Sequence, residues 1–185
     1  DTLGAELPLY TVLMVNASEW IQKNFFFIML TSIFSITGIW LMTLTDSGRL
    51  IRDRFFLRLP VFGNLLEQGI LSKFCKTFGI LVEAGVTILE SFRLIKRVVD
   101  NRVFELAIDS AARNIENGVN ISRALKDTEA FPPILIQLMA TGEETGEIDN
   151  LSLKAADYYT KQVNAIVDRL TSIIEPALII LVGAI

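Results

Sequence analysis

Leu65–Val99 reads LLEQGILSKFCKTFGILVEAGVTILESFRLIKRVV, and its spacing decides the fold class. Ile70, Leu71, Phe74, Phe78, Leu81 and Val82 recur at helical intervals, with Lys73 and Lys76 opposite. Ala84-Gly85 ends that helix, glycine supplying the left-handed conformation that helix C-termini favour. Thr87-Ile-Leu-Glu90 is a capping box: the hydroxyl accepts from a free backbone N–H and the carboxylate reaches back. A second helix then carries Ile88, Leu89, Phe92, Ile95 and Val99 on one face.

The same pattern extends to about Leu170 with no strand alternation. Asn101 caps a third helix bearing Val103, Phe104, Ala107, Ile108, Ala111 and Ile115, closed by Asn117-Gly118. A short fourth helix covers roughly Ser122 to Asp127. Phe131-Pro132-Pro133 starts the fifth, proline being tolerated where N–H groups lack partners anyway. That helix is expected to end at Gly142. The last starts at Asp149 or Asn150, with Leu151, Ala155, Tyr159, Val163, Ile166, Leu170 and Ile173 at near-heptad spacing. This face packs either within the bundle or on a second subunit, and no turn signal interrupts the helix before Pro176. The expected fold is all-α: an antiparallel bundle of about six helices over residues 65–172.

Outside the bundle the chain is strongly apolar. Hydrophobic residues make up 51% of it, high for a domain that must present a polar surface. Asn24–Thr45 holds no charged residue, and as a helix it would extend roughly 30 Å, the thickness of bilayer hydrocarbon. Arg49, Arg52, Arg54 and Arg58 follow it, whereas only Lys23 precedes it closely. The positive-inside rule puts the arginine side in the cytoplasm and residues 1–23 outside, the arginines setting topology and touching anionic headgroups. Residues 46–64 then form a basic cytoplasmic linker. From Ile173 a further apolar run continues to Ile185, read as the entry of a second span and, with no initiating Met, as a sign of a longer protein. A signal peptide does not fit an apolar run so long and so internal.

Several chemistries are excluded by composition. Histidine is absent, removing Ser-His-Asp and Cys-His pairs and histidine metal ligands. The net charge is -4 with the signs interspersed, so the basic stripe expected for a nucleic-acid partner is missing. No phosphate-binding loop is present. Cys75, the single cysteine, reads as a small buried hydrophobe. No enzyme activity, cofactor or metal is expected.

Two places remain. Gly142-Glu-Glu-Thr-Gly146-Glu-Ile-Asp149 gathers four acids in what reads as an interhelical loop. It admits three readings: helix-start structure favoured by the dipole, contact with a partner or domain, or a cation site, although the EF-hand pattern is absent. Gly142, Glu143, Glu144 and Gly146 are the positions to follow. Glu175-Pro176 lies at the second membrane entry, where proline favours a kink. The acid faces either water or another membrane helix.

In order, Leu59-Pro60-Val-Phe-Gly63, Leu81-Val-Glu-Ala-Gly85, Asn117-Gly118, Phe131-Pro132-Pro133, Thr141-Gly-Glu-Glu-Thr-Gly146 and Glu175-Pro176 resemble the type II secretion F family. Leu7-Pro8-Leu-Tyr-Thr11 resembles the segment ahead of that family's second membrane helix. The resemblance implies a multi-pass inner-membrane platform with two homologous cytoplasmic helical domains and three membrane helices, this chain supplying the second domain. It also implies partners: a hexameric assembly ATPase, pilins or pseudopilins, other inner-membrane assembly components, lipid, and further copies of itself in a homo-oligomer, a dimer or higher. A membrane-anchored signalling or adaptor bundle is the competing expectation.

Overall fold

The structure, a computed structural model, describes residues 20, 22–35, 37–38 and 45–183, with only the backbone described over 173–183. Residues 1–19, the Leu7–Thr11 segment among them, and most of 39–45 lie outside the described residues, as do Ala184 and Ile185. Among the described residues no strand occurs, and the all-α class holds.

Two compact units are present, one up to Gly48 and one from Arg49 onward. In the first, residues 22–35 form α1. Its apolar side chains stand exposed all round, Phe26 at 72%, Phe27 at 70% and Phe34 at 82%. The hydroxyls of Thr31 and, just beyond α1, Thr37 donate to the carbonyls of Phe27 and Ile33, each at 2.7 Å, the back-bonding by which a helix pairs threonine O–H groups within itself. Among the described residues, no helix is long and apolar enough to cross a membrane. The expected span 24–45 is described only in part.

The second unit contains the bundle: α2 (Asp46–Arg58, beginning just ahead of it), α3 (Phe62–Glu83), α4 (Ile88–Val98), α5 (Arg102–Glu116), α6 (Ile121–Lys126), α7 (Pro133–Thr145) and α8 (Ile148–Gly183). Residues 46–64, expected as a linker, are therefore mostly helical. From α3 on, sequential helices pack as neighbours, and α8 returns antiparallel along α3, its most extensive contact, and against α7. The near-heptad face of α8 is thus used within the chain: Ala155 and Tyr159 are buried, and Ser72 meets Thr160 at 2.7 Å.

Local chemistry accounts for the boundaries. Gly85 (φ +78°) closes α3, its N–H donating to Val82 and that of Val86 to Leu81, the paired bonds of a Schellman end. The Thr87 hydroxyl accepts from the N–H of Glu90, while the Glu90 carboxylate lies 3.5 Å from Arg93. Asn101 Oδ1 accepts from the N–H groups of Val103 and Phe104. Pro133 opens α7. One expected boundary is corrected: α7 does not stop at Gly142 but continues to Thr145, and Gly146 (φ +75°) ends it. Gly142 is there for packing, since a Cβ on it would come 3.0 Å from the Cα of Ile148.

The core is a chain of aromatic rings. Phe74 meets Phe78, Phe92 and Phe131 at centroid distances of 5.9, 5.9 and 5.1 Å, and Phe131 meets Phe104 at 5.7 Å. Cys75, fully buried, sits beside them, and desolvation pushes its thiol pKa up, so it packs as an apolar group.

Gly79 sets the α3–α8 separation: a Cβ there would lie 2.8 Å from Leu153 Cγ and 3.0 Å from the Asp149 carbonyl oxygen. Gly79→Val is expected to destabilise the bundle by about 1–3 kcal/mol. Gly69, with nothing within 4 Å of its missing Cβ, should gain roughly 0.5–1 kcal/mol as Gly69→Ala. Thermal melts of both variants check the pair, and equal shifts would contradict the packing assigned to Gly79.

Candidate functional site

Glu143 in the acidic segment and Asp53 within the arginine cluster each face a helix start. Glu143 lies on the last turns of α7, half-buried, and points at the N-terminus of α6. Its Oε1 accepts from the N–H of Ile121, and its Oε2 accepts from the N–H of Ser122 at 3.0 Å and from the Ser122 hydroxyl at 2.6 Å. Asn120 occupies the N-cap position of α6, but its side chain makes no capping bond. A carboxylate from α7 does that work instead, placing negative charge where the helix dipole favours it.

Of the other acids, Glu144 and Glu147 are exposed, Asp149 sits in the first turn of α8, and Glu147 accepts from Asn150 at 3.4 Å. Gly146 makes the turn, and Gly142 lets α7 approach Ile148 closely, as described. Among the described residues, no group of three or more Asp, Glu, Cys or His is placed to hold a metal ion. Glu175 and Pro176 lie in the continuous helical backbone of α8, and their side chains lie outside the described residues.

The four arginines divide into two pairs. Arg49 reaches Glu105 on α5 at 3.3 Å and Asp100 at 3.9 Å, and Arg52 pairs with Asp53 at 2.8 Å. Arg54 and Arg58 are exposed. The sequence reading assigned all four to topology and headgroups, and the structure gives Arg49 and Arg52 protein partners as well.

Asp53 is the residue that sequence reasoning passed over. It is 5% exposed, and its Oδ2 accepts from the N–H of Arg102 at 2.8 Å, the first residue of α5. Together with Asn101 it saturates that helix start, tying α2 to α5. A lone acid among four arginines was the only signal, and it does not say which helix is capped.

A third polar cluster joins α4 to α5. Lys96 donates to Asp109 at 2.5 Å, and Arg113 pairs with the same carboxylate. The hydrogen bond from Lys96 holds the Asp109 carboxyl below the usual carboxylate range, against the smaller opposing effect of partial burial. At the other end of the scale, desolvation raises the Tyr159 hydroxyl.

Fold and polar clusters together define a helical scaffold, in which charged groups hold helices to one another. The chain belongs to the type II secretion system protein F family, whose model matches residues 74–185. It is 33% identical to a type IV pilus assembly protein PilC of Myxococcus xanthus over 98% of its own length and 44% of the relative's. Against the Thermus thermophilus PilC the identity is 34%, covering 99% and 45%. A type II secretion system protein F of Pseudomonas aeruginosa is 27% identical, covering 98% and 45%. The chain thus spans less than half the length of these relatives.

Two outcomes follow from the charge clusters. Glu143→Ala should cost about 1–3 kcal/mol by leaving two backbone donors of α6 unpaired, with Glu143→Gln intermediate; denaturant unfolding reads both. Because the Asp109 pKa is lowered by folding, its contribution is complete above the ordinary carboxylate pKa and is lost as pH falls through the folded value. Asp109→Asn should therefore destabilise by roughly 0.2–1 kcal/mol near neutrality, the range of exposed pairs. The gap to wild type should close in acid, and a gap that widens there would reverse the sign assigned.

Proposed function

We propose that this chain is part of a non-enzymatic inner-membrane platform of a type II secretion or type IV pilus assembly machine. On this reading it couples a cytoplasmic assembly ATPase to pilin or pseudopilin subunits drawn from the membrane, within an oligomeric assembly. The observation that carries it is family membership, with relatives named for both systems matching nearly all of this chain. The topology that goes with it has a span over 24–45, residues 46–172 in the cytoplasm, residues 1–23 outside, and a further span from 173. Support comes from α1, whose large apolar side chains from Phe25 onward stand exposed and whose Thr31 hydroxyl bonds back to the backbone, as suits a helix in lipid, and from the arginines that follow.

In this proposal Glu144, exposed on α7, and the Glu175-Pro176 pair are the partner-facing positions, while Glu143 and the two glycines shape the surface behind them. A strain lacking the gene, scored side by side for surface pili and extracellular enzymes and complemented from a plasmid, tests the reading. Loss of either product, restored by the plasmid, is the expected result and names the cargo. Persistence of both, with no paralogue substituting, would overturn it in favour of a membrane-anchored adaptor.

A further inference from the structure

The two faces of α2 differ in kind. Arg49, Asp53 and Leu57 recur every four residues and turn inward, where Arg49 and Asp53 engage α5 and Leu57 packs against the core. Ile51, Arg54, Phe55 and Arg58 recur at i, i+3, i+4 and i+7 on the opposite arc. Both arginines are exposed, and Ile51 and Phe55 are each 62% exposed. Together with Leu50 they line one shallow depression. No acid stands in that arc, and the bundle leaves it uncovered. Phe56, Val61 and Phe62, at 45%, 51% and 58%, expose further apolar surface where α2 turns into α3. The corner itself is fixed: a Cβ on Gly63 would lie 2.1 Å from the Leu57 carbonyl oxygen.

We propose that this outer face of α2 lies in the headgroup region of an anionic bilayer, Ile51 and Phe55 entering the acyl boundary and Arg54 and Arg58 pairing with phosphates. Two observations select lipid as the occupant. The face combines cationic and large apolar groups without acids, the composition that interfacial helices use. The helix also begins at Asp46, immediately after the charge-free run 24–45, so a bilayer spanned by that run ends where α2 starts. This rests on the spanning proposed above. Arg49 and Arg52 already have carboxylate partners, which sharpens the assignment to Arg54 and Arg58, the exposed arginines of α2.

The test places the photocrosslinker p-benzoylphenylalanine at Phe55 of the full-length protein in proteoliposomes of phosphatidylcholine with phosphatidylglycerol. The same group at Ile134, an exposed position on α7, serves as the control. A phospholipid adduct at 55 and none at 134 is expected. Arg54→Gln with Arg58→Gln should lower that adduct severalfold, each arginine near an anionic surface being worth roughly fivefold in partition. Pure phosphatidylcholine should do the same. An adduct to protein at 55, or none at all, overturns the inference, and so does equal lipid labelling at 134. Carbonate extraction of the same vesicles reads the spanning separately. A chain retained in the bilayer without a lipid adduct at 55 defeats this inference alone, and a chain extracted from it defeats both.

Discussion

Everything in the bundle hangs on the contact of Phe74 with the rings around it. Phe74 and Phe78 come from α3, Phe92 from α4, Phe104 from α5, and Phe131 from the turn ahead of α7. One cluster therefore joins four parts of the chain. Pairs of this kind contribute about 0.5–1.5 kcal/mol each beyond the area they bury, and a domain's net stability is only about 5–15 kcal/mol. The remaining helices are placed by what they must cover. Helix α8 lies along the back of α3, closely enough at Gly79 that no side chain fits between them.

Aromatic packing does not satisfy helix ends, and here carboxylates from elsewhere in the chain do. A six-residue helix such as α6 is far below the length at which helices persist alone. Its start is held by Glu143, more than twenty residues away in sequence. The start of α5 is held by Asp53 across 49 residues of chain, more than twice as far. These contacts are buried or half-buried, so they are directional in a way surface ion pairs are not. They fix α6 to α7 and α2 to α5.

The sequence carried the short-range half of this design. Thr87, Asn101, Gly85, Gly118 and Pro133 act within a few residues of where they stand, so spacing alone places them. The helical face of α3 and the burial of Cys75 were legible for the same reason. Glycine at 142 was misread because a packing glycine and a turn glycine look alike in one dimension, and only the approach of Ile148 tells them apart. Helix α2 escaped because its inner face is polar: Arg49 and Asp53 sit where periodicity looks for apolar residues. The capping role of Glu143 was covered only in outline, as helix-start structure. The sequence pointed to the start of α8, whereas the carboxylate serves α6.

The arrangement bears on how such a domain could transmit movement. Helix α8 runs unbroken from Ile148 to Gly183, about 54 Å at 1.5 Å per residue. Its first half is built into the core through Ala155, Ala156 and Tyr159. Helix α2 is pinned to α5 through the buried Asp53. Packed cores deform little, so a displacement of one helix is passed to the next rather than absorbed. A partner pressing on α7 would act on Glu143 and through it on α6, and on α8 through the close contact at Gly142. Coupling through rigid contacts of this kind needs no reactive group, which is the physical content of assigning a scaffold role to a chain of this composition.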